Sequence, residues 1–143
     1  MKLERIEELK KISTRNLIVR QTLNSLEKKY SYNKYELEIS LALVIFSLLG
    51  NTEMHKAMEA EDIDWIVFVD ENYKLIEELK NGEYKAIYED IFTEIEKGAN
   101  DKAKYSMTVG SFLEDLGQVF TEENIEKIKV LVEKAIENQK EEE

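Results

Sequence analysis

Hydrophobic residues recur along this chain mostly at intervals of three and four, the spacing of α-helices with one buried face. A short first helix is predicted by Leu3, Ile6, Leu9 and Ile12. Ser13-Thr14 offers a hydroxyl N-cap for a second helix, whose core stripe we expect at Val19, Leu23, Leu26 and Tyr30.

The most apolar segment covers about residues 34–49, and from Ile39 onward apolar residues lie on nearly every side of the predicted helix. Asn33 can cap this helix at its start. Gly50-Asn51 is typical of a helix that ends on a left-handed residue. We expect this to be the central helix around which the others pack.

Beyond it, Thr52 opens a short helix, and Asp62 or Asp64 begins a longer one that ends at Asn81-Gly82. Residues 64–69 are also strand-prone, but we favour helix because the same period continues to Lys80 and no second strand is available. A further helix is predicted over 83–97 with Gly98 as its stop, then a loose stretch over 99–108. The last helix should begin at Thr121, and residues 141–143 should fray.

These elements predict an all-α protein in which residues 1–143 form a single compact domain of six to eight helices. The chain contains no proline, which agrees with long helices joined by short turns. It also contains no cysteine, which removes disulfides and thiolate chemistry and suits a reducing compartment. The longest apolar run, residues 41–49, is about half of the ~20 residues that a membrane span needs. We therefore expect a cytoplasmic protein with no membrane segment.

Charge is divided unevenly along the chain, whose net charge is −11. Residues 1–35, the basic head, carry nine Lys or Arg against four Glu. Residues 61–143, the acidic body, carry ten Lys against 23 Asp or Glu. Such a chain either folds the two regions onto each other or presents them to different partners.

Recognisable catalytic chemistry is scarce in the sequence. His55 is the only histidine, and with Glu59 it offers at most two ligands, so we predict no metal site, no cofactor and no enzymatic activity. Glu59 and Asp62 have the Glu-x-x-Asp spacing of magnesium-dependent pyrophosphohydrolases, but the upstream Glu-x-x-Glu partner is missing. A carboxylate-rich, metal-dependent enzyme stays as a second alternative.

The basic head carries the first alternative, a small regulator that binds nucleic acid. Residues 12–29 resemble the turn and recognition helix of helix-turn-helix repressors, although the preceding turn has Glu7 and Lys11 where that pattern has a small residue and a glycine. The cations that this reading assigns to DNA or RNA are Arg15, Arg20, Lys28 and Lys29.

The acidic body carries the preferred interpretation, a non-catalytic module that binds another protein with a basic surface. Its tentative binding residues are Glu59, Glu61, Asp62, Asp64 and the single tryptophan, Trp65. An adaptor, an assembly chaperone or scaffold, or an inhibitor of the kind that phages and mobile elements encode would fit. Self-association is a further possibility, because the basic head of one copy can meet the acidic body of another.

Overall fold

The computed structural model describes residues 1–119 and 122–141, and over these ranges the chain is helical with short connections. A 3₁₀ helix (Ile6–Lys10) is followed by α1 (Ile12–Ser25), α2 (Lys34–Leu49), α3 (Thr52–Met58), α4 (Trp65–Glu71), α5 (Tyr73–Asn81), α6 (Lys85–Val119) and α7 (Glu122–Glu141). The described residues form no strand, only an isolated bridge between Leu3 and Gly50. The predicted all-α class and the number of helices are confirmed.

The chain divides into two compact units, residues 1–104 and residues 105–143, with α6 running through the division. The first unit contains the hydrophobic core. The second contains the rest of α6 and α7, and on α7 the side chains of Leu131, Val132 and Ile136 are exposed. The prediction of one domain over residues 1–143 stays a prediction. The expected N-cap at Thr121 and the tail after residue 141 lie outside the described residues.

Helix α2 begins where the sequence predicts, because Asn33 caps it. The Asn33 side chain accepts a hydrogen bond from the Glu36 backbone N–H at 2.8 Å and donates one to the Glu36 carboxylate at 3.1 Å. The helix packs against α1, α3 and α4. It buries seven side chains: Leu37, Leu41, Ala42, Val44, Ile45, Phe46 and Leu49.

Helix α1 differs from the prediction at both ends. It begins at Ile12, so Ser13 and Thr14 lie inside its first turn and do not cap it. It ends at Ser25, so Tyr30 lies beyond it, where it is exposed. The fully buried positions of α1 are Ile18 and Thr22 rather than the predicted stripe.

The segment from Trp65 to Asn81 is helical, as favoured, but it forms two helices instead of one. The break is at Asn72, whose side-chain amide donates to the Phe68 carbonyl at 2.9 Å. An Asn side chain that bonds to a carbonyl one turn earlier competes with the regular helix ladder. This local competition accounts for the break between α4 and α5 at Asn72.

The connection after α2 corrects the prediction at Gly50. Its backbone is extended, with φ −69° and ψ 153°, and not left-handed. The chain passes Gly50 in close contact with the N-terminal segment, where the Asn51 N–H donates to the Lys2 carbonyl at 2.9 Å. A Cβ atom at Gly50 would lie 2.4 Å from the Phe46 carbonyl oxygen, so glycine is required here for space.

Helix α6 corrects a second glycine prediction, because it continues through Gly98 and through the stretch 99–108 that was predicted to be loose. A Cβ at Gly98 would lie 2.5 Å from Leu23 Cδ1, so this glycine allows α6 to approach α1 closely. One turn later, the Lys102 ammonium donates to the carbonyls of Leu23 and Leu26 at 2.9 and 2.7 Å. Lys102 thereby satisfies carbonyls at the C-terminal end of α1.

None of the described helices is both long and apolar enough to cross a membrane.

Candidate partner-binding groove

The first turn of α4 presents three consecutive apolar side chains to solvent. Trp65, Ile66 and Val67 are 41%, 51% and 48% exposed, while the next two residues, Phe68 and Val69, are buried. Successive side chains of a helix point about 100° apart, so five consecutive residues point all around the helix axis. When α4 buries Phe68 and Val69, some of the other apolar side chains of this run must therefore face solvent. The exposed residues therefore follow from the helical conformation of this run.

Asp64 fixes the position of this turn. One oxygen of its carboxylate accepts hydrogen bonds from the backbone N–H groups of Ile66 at 3.0 Å and Val67 at 3.2 Å. On the buried side of α4, the Phe68 ring contacts Phe46 of α2 edge to face, with ring centres 5.9 Å apart. The Trp65 ring packs edge to face on Phe68 at 6.2 Å. The partly exposed indole therefore packs against a side chain of the hydrophobic core.

Two clefts adjoin the first turn of α4. The first, of about 290 Å³, is lined by Trp65 and Met58 together with residues of α1 and α2 such as Leu43. The second, of about 300 Å³, is lined by Ile66 together with Ile39 and the loop after α1. Ser25 of α1 and Ser40 of α2 line both clefts, so the two are adjacent. We call the pair, with Trp65 and Ile66, the α4 groove.

Residues 59–64, the acidic loop, lead directly into Trp65. Glu59, Glu61, Asp62 and Asp64 are all exposed, and the loop contains no cationic residue. In the described part of the chain no ion pair involves any of these four carboxylates. The acidic loop therefore places uncompensated negative charge next to an apolar surface.

Among the described side chains, the basic head makes little direct contact by ion pairs with the acidic body. Among the side chains that the structure describes, one ion pair joins these two regions, between Lys10 and Glu83 at 3.4 Å, and both residues are more than half exposed. An exposed pair of this kind contributes little to stability. Within the described side chains, the negative charge of the acidic body is thus left for other contacts.

The four cations of the nucleic-acid alternative are not brought together on one helix. Arg15 is occupied by the chain itself, since its guanidinium donates to the Leu9 and Lys10 carbonyls at 2.9 and 3.0 Å. Lys28 and Lys29 lie beyond the end of α1, and Lys29 pairs with Glu36 at 3.1 Å. Arg20 is exposed on α1, roughly 140° around the helix from Arg15. The predicted recognition helix thus ends before its lysines.

His55 is exposed on α3. Within the described residues, no group of three or more His, Asp or Glu side chains is placed to hold a metal ion. Trp65 and the four carboxylates of the acidic loop are the candidates that the sequence offers, and their role in binding stays a prediction. Ile66 and Val67, which are also exposed here, are not among those candidates. The sequence signal for these two is the unbroken apolar run 65–69, which a helix cannot bury completely.

Comparisons with protein-family models, with curated proteins and with solved structures found no match to this chain.

Proposed function

We propose that this protein is a non-catalytic interaction module whose α4 groove and acidic loop bind a partner segment with apolar side chains flanked by lysine or arginine. The observation that carries the proposal is the half-exposed row Trp65, Ile66 and Val67, in which Trp65 and Ile66 line two adjacent clefts. Aromatic and aliphatic anchors surrounded by a polar rim are the usual centre of a protein interface.

The charge of the partner follows from the acidic loop. Four exposed carboxylates within six residues repel an acidic or phosphate-rich ligand and attract a basic one. The apolar anchors exclude a purely electrostatic contact, because exposed indole and aliphatic surface gains free energy only when it is covered by other apolar groups. A basic amphipathic segment satisfies both requirements.

An adaptor, an assembly chaperone or scaffold, and an inhibitor of a basic target all use such a surface, and we place the protein among these. A cytoplasmic location belongs to the same proposal and is supported by the absence of cysteine from the sequence. Homo-oligomers through this face are a competing arrangement that the experiment below distinguishes.

Trp65 makes the groove directly observable because it is the only tryptophan of the chain. We would titrate the protein with an amphipathic peptide of about 18 residues built from Leu and Lys, and follow the fluorescence of Trp65. We expect a blue shift, and weaker binding at about 0.5 M salt, where the Debye length falls to about 4 Å. A matching peptide of Leu and Glu should produce no shift.

Variants separate the groove from general attraction to an acidic protein. The double substitution Glu61→Lys and Asp62→Lys should weaken binding about tenfold, as should Ile66→Asp, which places a charge in the groove. The matched control is Glu77→Lys with Glu78→Lys, which changes the charge equally at two exposed residues of α5 that do not line the groove. Equal losses in both double variants would refute the proposed site. A Trp65 emission that depends on protein concentration without peptide would instead show a second copy in the groove.

A further inference from the structure

A second cleft in the first unit, separate from the α4 groove, has a volume of about 500 Å³ and lies between α2, α5 and α6. We call it the tyrosine cleft. Its wall includes the nearly buried rings of Tyr88 and Phe92, which are 6% and 8% exposed. Volumes of this size are typical of sites for small molecules, which combine apolar walls with a few polar groups.

Lys80 of α5 is the centre of the polar groups in this cleft. Its ammonium donates to the Tyr73 hydroxyl at 2.8 Å, lies 3.4 Å from the Glu38 carboxylate, and lies 5.6 Å from the centre of the Tyr88 ring. Burial alone lowers the pKa of Lys80, but the hydrogen bond to Tyr73 and the charge of Glu38 outweigh it, so the pKa is raised. Lys80 therefore stays charged, and Glu38 compensates that charge.

The hydroxyl of Tyr88 is the exception in this well-paired cluster. Among the described residues it is the one buried side-chain polar atom that has no hydrogen-bond partner. Burial raises the pKa of Tyr88, and the charge of Glu38 raises it further, so the hydroxyl keeps its proton and stays a donor. Buried donors are nearly always paired in native proteins, so an unpaired donor on a residue that lines a cleft is available to an acceptor that enters the cleft.

The charged residues around the tyrosine cleft indicate the net charge of the molecule that would carry the acceptor. Three lysines and three glutamates line it: Lys34, Lys80, Lys85, Glu38, Glu89 and Glu96. Since these charges balance, the cleft favours neither an anion nor a cation, while the donor at Tyr88 requires an acceptor oxygen. The Phe92 ring lines the wall, with the Lys34 ammonium 5.7 Å from its centre, and an aromatic wall of this kind favours a flat ring.

We propose that the tyrosine cleft is a binding site for a small neutral molecule with a planar ring and a carbonyl oxygen that accepts the Tyr88 hydrogen bond. The Tyr88 hydroxyl oxygen has almost no exposed area, so a neighbouring side chain moves when the acceptor enters. The Lys80 ammonium lies 5.6 Å from the centre of the Tyr88 ring, and its long side chain has several accessible rotamers. The site uses none of the α4-groove residues and does not depend on the function proposed above.

Three probes that share one ring test the chemistry: benzamide is neutral with a carbonyl, benzoate is an anion, and benzylammonium is a cation. We would titrate each into the full-length protein and follow the amide signals of α5 and α6 by NMR. Benzamide should bind with a Kd of about 1–10 mM, as expected for a fragment of this size. Each ion should bind at least about threefold more weakly, because an ion loses more hydration free energy than a neutral amide does, and the balanced charges of the cleft do not offset that loss.

Tyr88→Phe removes only the donor and should weaken benzamide about two- to tenfold, the range for one neutral hydrogen bond. The matched control is Tyr35→Phe, at an exposed tyrosine of α2 that does not line the cleft, and it should leave the Kd unchanged. Three results would each overturn the proposal: no binding by any probe, tighter binding of an ion than of benzamide, or an unchanged Kd in Tyr88→Phe.

Discussion

Gly50 offers a sharp test of how the chain turns after α2. Its backbone angles are accessible to any residue, so the cost of a side chain there is steric. In Gly50→Ala the added Cβ would lie 2.4 Å from the Phe46 carbonyl oxygen and 2.7 Å from the sulfur of Met54. The first is a backbone atom, and Met54 is fully buried, so neither contact is relieved by rotating an exposed side chain.

Relief requires the backbone to move by about 1 Å, since ordinary van der Waals contacts of this kind are near 3.5 Å. That movement strains the hydrogen bond from the Gly50 N–H to the Phe46 carbonyl at 2.9 Å, and the pairing of Asn51 with Lys2. Overpacking and one or two weakened hydrogen bonds together predict a loss of about 2–4 kcal/mol in the free energy of unfolding.

Urea unfolding followed through Trp65 measures this loss in the first unit. Gly50→Asn provides the comparison, because asparagine tolerates a left-handed backbone better than alanine does. If space is the reason for glycine, Asn is at least as damaging as Ala. If Asn is clearly better tolerated than Ala, or if Ala costs less than about 0.5 kcal/mol, the steric reasoning is refuted.

Three further substitutions test single interactions in the first unit. Tyr88→Phe removes an unpaired buried hydroxyl and should leave stability unchanged or raise it by up to about 1 kcal/mol. Because the folded-state pKa of Tyr88 lies above the usual 10.0, wild-type stability should fall as the pH rises above 10, and an equally steep fall in Tyr88→Phe would contradict this. Lys102→Met removes the Lys102 donor from the Leu26 carbonyl and from the Leu23 carbonyl, which keeps its bond from the Leu26 N–H at 3.3 Å, and should cost about 1–2 kcal/mol in urea unfolding. Lys97→Met, at an exposed lysine of α6, should cost little. Asn33→Ala removes the cap of α2 and should cost about 1 kcal/mol, and no change in the urea midpoint would show that the cap is unimportant.

Helix α2 is an element whose start and length can be predicted from local sequence. Its start depends on an asparagine that bonds to its own backbone three residues later, and its length depends on an apolar run without glycine or proline. Both are local interactions, so both are readable from the sequence. The helix found over Trp65–Glu71 was predicted in the same way, from the helical period and the lack of a partner strand.

The glycines show where local reasoning fails. Gly98 was predicted to end a helix, and Gly50 to adopt a left-handed conformation. In the structure both are sites of close approach, by α6 to Leu23 and by the chain after α2 to its own last turn and Met54. A glycine looks the same in the sequence whether it supplies unusual angles or missing volume. Only the packing partner distinguishes these two uses.

For the candidate sites, the sequence alone indicated the acidic loop and the single tryptophan. A high local density of carboxylates and a residue type that occurs once are both visible in the sequence without a structure. The sequence also determined the helical class and the caps at Asn33 and Asp64 for the same local reason, that hydrogen bonds and hydrophobic periods act over a few residues. Tertiary structure alone decided that Trp65 and Ile66 line two adjacent clefts, that Arg15 is occupied by carbonyls, and that the Tyr88 hydroxyl is unpaired although the Lys80 ammonium lies 5.6 Å from its ring centre. These facts depend on which residues distant in the sequence meet, and helical periodicity contains no information about that.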